Sequence, residues 1–119
     1  MRIDPKPVIA KQKRRNRRGP TERLSEALIA LAEGKARIAK HSEKGWASIT
    51  FAGARHRVEI VFKGADAVEA GECFIAFLPE HEFTIPGQLV ADAAVTEVDH
   101  IVEPPSMVVI CEILMLEEG

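Results

Sequence analysis

The chain has 119 residues, 46% of them hydrophobic, and a formal net charge of −2. That length and composition bound a single domain able to bury a core of its own. No apolar run reaches the roughly 18 residues of a transmembrane helix, and no apolar stretch follows the charged start as a secretory signal requires. A cytoplasmic protein without a membrane span is therefore expected.

The small net charge hides a division. Residues 1–23 hold nine Lys or Arg against two acids, a net of +7, and residues 24–119 hold seven against sixteen, a net of −9. A basic arm over residues 1–19 is thus joined to an acidic domain over residues 20–119. The arm has too few apolar side chains to offset the entropy of ordering, so disorder is expected there. Its cluster Lys11, Lys13, Arg14, Arg15, Arg17 and Arg18 could neutralise phosphates and release counterions, a sequence-independent mode of binding RNA or DNA. The competing reading is a solubilising tail, or one that folds onto the acidic body.

In chain order, Gly19-Pro20-Thr21-Glu22 opens a helix. Gly19 suits the N-cap, Pro20 the first helical position, and Glu22 the positive end of the dipole. Leu24, Leu28 and Leu31 share one face, and Gly34 is the expected stop. A strand over about 36–42 should follow, joined through residues 42–45 to a hairpin. The centre of that hairpin is placed at Gly53-Ala54, which fits a two-residue turn with Gly first. This register pairs Phe51 with His56, Ile49 with Val58 and Ala47 with Ile60 on an apolar face. Trp46 then pairs with Val61 on the opposite face, and Ile38 falls opposite Ile49.

A second helix is expected from about Asp66, as N-cap, to Leu78 before Pro79. Gly71 on its apolar side would permit close approach to the sheet. Residues 88–102 read as a long strand in which Leu89, Ala91, Ala93 and Val95 point inward. The apolar parity then slips, which implies a β-bulge near Thr96-Glu97. After a reversal at 103–106, residues 107–116 form a strand rich in Val and Ile that should be buried on both faces.

These elements give an α+β fold in the order α-β-β-β-α-β-β. The antiparallel sheet is a three-strand meander plus a C-terminal hairpin, with two helices packed mainly on one face. The order α-β-β-β-α within it resembles the double-stranded-RNA-binding domain. That family carries basic residues at the start of its last helix to grip phosphates. Here Gly64-Ala65-Asp66-Ala67-Val68-Glu69 stands there, so the resemblance is one of topology and implies no shared function.

Chemistry is sparse. Cys73 and Cys111 lie in apolar contexts without CxxC or metal-ligand spacing and read as buried free thiols. The acidic surroundings of His81 and His100 also lack ligand spacing, and no nucleophile elbow, phosphate loop or dinucleotide fingerprint is present. No metal or cofactor is expected, and an enzyme using the His81 or His100 region is the weakest of three readings. The first is a non-enzymatic binding module whose arm engages nucleic acid, RNA above DNA. The second is a homo-oligomeric protein-interaction or small-ligand-binding domain. It rests on the last strand: two helices on one side cover either the set Met107, Val109, Cys111, Ile113 and Met115 or the set Val108, Ile110, Leu114 and Leu116. A second copy of the chain would cover the other set, and Trp46 and Val61 would extend that interface if they share its face.

Overall fold

The computed structural model describes residues 19–118. The expected disorder of the arm, and the six basic residues singled out in it, lie outside them. The described elements are α1 (Pro20–Leu31), β1 (Arg37–Ala47), β2 (Ala52–Lys63), α2 (Ala65–Phe77) with a 3-10 turn at Leu78–Glu80, β3 (Gln88–Ile101) and β4 (Ser106–Glu117). The four strands form one antiparallel sheet in the order β1-β2-β4-β3. This is an α+β fold with the C-terminal hairpin in place.

Helix α1 starts as its residues dictate. Pro20 takes the first helical position, and the Glu22 carboxylate accepts the Gly19 N–H at 2.9 Å. At the other end Glu33 N–H donates to Ala30 O and Gly34 N–H to Ile29 O, a Schellman-type closure. The left-handed residue is Glu33 (φ 60°), followed by Gly34 (φ 71°). The N-cap of helix α2 lies two residues before the expected Asp66. Gly64, at φ 100°, turns the chain directly from β2 into the helix. Asp66 lies within the first turn, where it pairs with Lys35 at 3.0 Å.

The strand count differs from the expectation, four instead of five. Residues 37–47 run as one strand through 42–45, because β1 is an outer strand whose solvent-facing residues need not be apolar. The hairpin turns at residues 48–51, not at Gly53-Ala54: Ala47 pairs with Ala52, Ser48 N–H donates to Phe51 O at 2.7 Å, and Phe51 N–H donates to Ser48 Oγ at 3.1 Å. The serine thus closes the loop, and Ile49 and Phe51 are exposed at its tip. Gly53 serves another purpose. A side chain there would run into the Met115 carbonyl and the Leu116 backbone, so the glycine lets β2 and β4 approach. The true register pairs Ile38 with Ile60, His56 with Glu43, Trp46 with Gly53, and Val61 with Arg37.

Strand β3 carries the expected irregularity, with the register slipping between Val95 and Glu97. The extra residue, Thr96, donates its hydroxyl to Ile110 O at 3.2 Å. A second slip, between Val90 and Asp92, was not anticipated and turns Leu89 outward beside Leu116.

Both helices pack on one side of the sheet. Leu24 and Leu28 of α1, Phe74 of α2 and Leu78 close over Val58, Ile60 and Phe62 of β2 and Val109, Cys111 and Ile113 of β4, all without solvent exposure. Each such aliphatic or aromatic side chain contributes about 1.5–3 kcal/mol on burial. Cys111 is buried as expected, and burial pushes its thiol up to about 12. Cys73, expected to be buried too, is exposed: it follows Glu72 on the solvent side of α2.

Candidate interaction surface

Side chains alternate along a strand, so the residues between the buried ones in β4 must face away from the helices. These are Val108, Ile110, Glu112, Leu114 and Leu116. Leu116 is buried, and Val108, Ile110 and Leu114 are half-buried among their own neighbours. Both helices pack at the opposite parity, so neither lies over this face.

Cross-strand pairing fixes its layout. Reading from β1 through β2 and β4 to β3, the rows are Arg37-Val61-Val108-Asp99, Lys40-Glu59-Ile110-Glu97, Ser42-Arg57-Glu112-Ala94, Lys44-Arg55-Leu114-Asp92 and Trp46-Gly53-Leu116-Leu89. On the two central strands Val61, Val108 and Ile110 form one aliphatic group and Leu114 and Leu116 another, with Arg57 and Glu112 between them. The basic residues Arg37, Lys40 and Lys44 stand on the β1 side, and the acids Asp92, Glu97 and Asp99 on the β3 side. Arg57 bridges within the chain to Glu112 at 3.4 Å and Glu97 at 3.8 Å. Arg37, Lys40, Lys44, Asp92 and Asp99 form no ion pair with a described residue. Trp46 and Val61 do share this face, but at its two ends, roughly 25 Å apart at the rise of a strand, and not as the cross-strand pair expected from the sequence.

A second constellation lies on the helix side. His41 Nδ1 is 3.2 Å from Ser25 Oγ, and His41 Nε2 is 2.9 Å from His56 Nδ1. The rings meet edge-on with centroids 5.2 Å apart. Strand alternation puts both imidazoles under α1, and His56 is 2% exposed. Burial holds both pKa values below the ordinary histidine value, opposed by the Glu43 carboxylate, which itself accepts the Thr21 hydroxyl at 2.7 Å. The bond between the rings needs one donor and one acceptor nitrogen, so it does not survive protonation of both rings. The misplaced turn hid this pair, because it put His56 opposite Phe51 and left His41 on a different strand.

The other histidines stand elsewhere. His81 meets Phe83 edge-on at 4.6 Å, and His100 lies opposite Met107 near the end of β3. Among the described residues no group of three or more His, Cys, Asp or Glu could hold a metal ion, and no helix is long and apolar enough to cross a membrane.

Fold and surface together define an α+β domain with one sheet face closed by helices and the other open. No protein-family model matches the chain, and no curated protein matches it. Among solved structures it is similar to a chain from the virion of a native gene transfer agent (GTA) particle. The identity is 12%, the TM-score 0.48, and the match covers 77% of this chain and 84% of that one.

Proposed function

We propose that this chain is a non-enzymatic binding module whose working surface is the open face of its sheet, docked against another folded protein surface. The observation that carries the reading is two aliphatic groups, Val61, Val108 and Ile110 at one end and Leu114, Leu89 and Trp46 at the other, on a face that neither helix covers. Aliphatic groups left uncovered by the helices on a sheet face mark an interaction site, and a tryptophan beside one of them suits an interface. Hydroxyl-radical footprinting tests it. Trp46 and Leu114 should be labelled in the dilute purified chain and protected in extract of the cells that make it. Equal labelling in both would refute the docking reading.

The charge division favours a second reading, in which the basic arm engages nucleic acid, RNA above DNA. Lys11, Lys13, Arg14, Arg15, Arg17 and Arg18 would make phosphate contacts while the acidic body stands off. Replacing Arg14, Arg15, Arg17 and Arg18 together by Ala should abolish most binding to a single-stranded oligonucleotide and flatten its salt dependence. Affinity that is unchanged, or indifferent to salt, would refute it.

A further inference from the structure

We infer that the surface docked on the open face is a second copy of this chain, related by a two-fold axis parallel to the strands. The inference rests on the docking reading above and adds to it the partner and the geometry.

Charge decides the partner. The open face is basic on its β1 side and acidic on its β3 side, with two aliphatic groups and the Arg57–Glu112 pair between. A surface that carries both halves of its own complement fits itself. Two sheets packed face to face lie about 10 Å apart with their strands within about 30° of alignment, so side chains of the two inner faces meet.

Only two choices of axis in the interface plane keep the strands aligned. An axis parallel to the strands sets β1 over β3 of the other copy at the same row. Arg37 then faces the partner's Asp99, Lys40 faces the partner's Glu97, and Lys44 faces the partner's Asp92. In the same arrangement Val61 lies over the partner's Val108, Arg57 over the partner's Glu112, and Trp46 over the partner's Leu89. Glu59 and Arg55 come over the partner's Ile110 and the partner's Leu114, with their aliphatic stems available for contact. An axis across the strands reverses the rows and sets each strand over its own copy. Lys40 then faces the partner's Lys44, and Glu97 faces the partner's Asp92, so like charges meet on both sides. The first axis makes three opposite-charge contacts of its outer-strand residues, each occurring twice in a dimer. The second makes none on the outer strands and only sets Arg55 over the partner's Glu59 on β2.

Size is sufficient as well. Four strands at ordinary spacing and ten or so paired residues cover roughly 20 Å by 35 Å, about 700 Å² per copy, near the ~800 Å² per partner of a standard stable interface.

Sedimentation velocity of the full chain tests the inference, using the wild type, Lys44→Glu, Asp92→Lys, and an equimolar mixture of the two variants. The wild type should be a dimer at micromolar concentration. Each reversal alone should weaken the dimer about tenfold or more, because it meets a like charge at both symmetric contacts. The mixture should recover the wild-type dimer, because in a mixed pair every new charge faces an opposite one. That recovery would also show that neither reversal had unfolded the chain. Single variants that dimerise like the wild type, or a mixture that fails to recover, would overturn the two-fold and leave the docking reading in place. A wild type that stays monomeric while Trp46 and Leu114 are protected in extract would overturn the second copy alone. A monomer whose face is labelled everywhere would overturn both.

Discussion

Replacing Gly71 by alanine sets two known effects against each other at one atom. In the helix interior alanine is favoured over glycine by about 1 kcal/mol, so on propensity alone the change stabilises. The packing opposes it. A Cβ at position 71 would stand 3.0 Å from Phe62 Cγ and 3.2 Å from Phe62 Cδ1, with the Met107 methyl nearer still. Met107 is flexible, but it is 2% exposed and must shift within the core. Phe62 has no solvent exposure and is braced by Phe74, with ring centroids 5.9 Å apart. Overfilling a core of this kind costs about 1–3 kcal/mol. The expected result for Gly71→Ala is a net loss of about 1 kcal/mol, seen as a lower urea midpoint at unchanged slope and a melting temperature lower by about 4–8 °C. Combining it with Met107→Ala should cost less than the sum of the two single changes by about 0.5 kcal/mol or more. A Gly71→Ala chain as stable as the wild type, or more so, would show that α2 stands further from the sheet than these contacts place it.

Two further outcomes follow from buried groups. His41 and His56 both have pKa values lowered in the fold, so between the ordinary value near 6.5 and the lowered value the unfolded chain binds more protons. Stability is then fully present above about pH 6.5 and falls as pH drops below it, by at most about 1.4 kcal/mol per pH unit for each imidazole. Chemical denaturation across pH 7.5 to 5 should show this fall, and a His41→Asn/His56→Asn chain should show a shallower one; equal slopes would refute the assignment. For the thiols, an aromatic disulfide reagent at pH 8 should titrate Cys73 promptly and Cys111 only on unfolding, since Cys111 is buried with its thiol pushed up to about 12. Two promptly reacting thiols in the folded chain would contradict the burial of β4.

What was legible in the sequence was whatever burial writes into residue pattern. Leu24 and Leu28 mark the inner face of α1, Pro20 and Gly34 its ends, and the dense apolar run of β4 identifies the strand at the heart of the sheet. The slip at Thr96 was visible because β3 has an inner face whose parity can be followed. The β1–β2 turn was not legible. Two glycines, Gly45 and Gly53, carry turn chemistry but sit inside strands, one exposed and one where two backbones approach, while the real turn is closed by a serine hydroxyl. That error concealed the histidine pair. It also set Trp46 beside Val61, when the tryptophan's partner is Gly53 at the other end of the face. The open face was foreseeable in outline, since two helices on one side cannot cover both parities of β4. Its division into basic and acidic halves needed the register.

The irregularities in β1 and β3 have a consequence for how this protein can grow. These two strands are the lateral borders of the sheet, and their outward main-chain groups would invite further strands to add on, the route to open-ended stacking. Each border is interrupted, β1 between Ile38 and Lys40 and β3 at two places, so neither offers an unbroken ladder of hydrogen-bonding groups. Arg37, Lys40 and Lys44 on one border and Asp92, Glu97 and Asp99 on the other add charge to the same margins. Growth by strand addition is disfavoured at both sides, so the borders of the sheet do not template open-ended stacking.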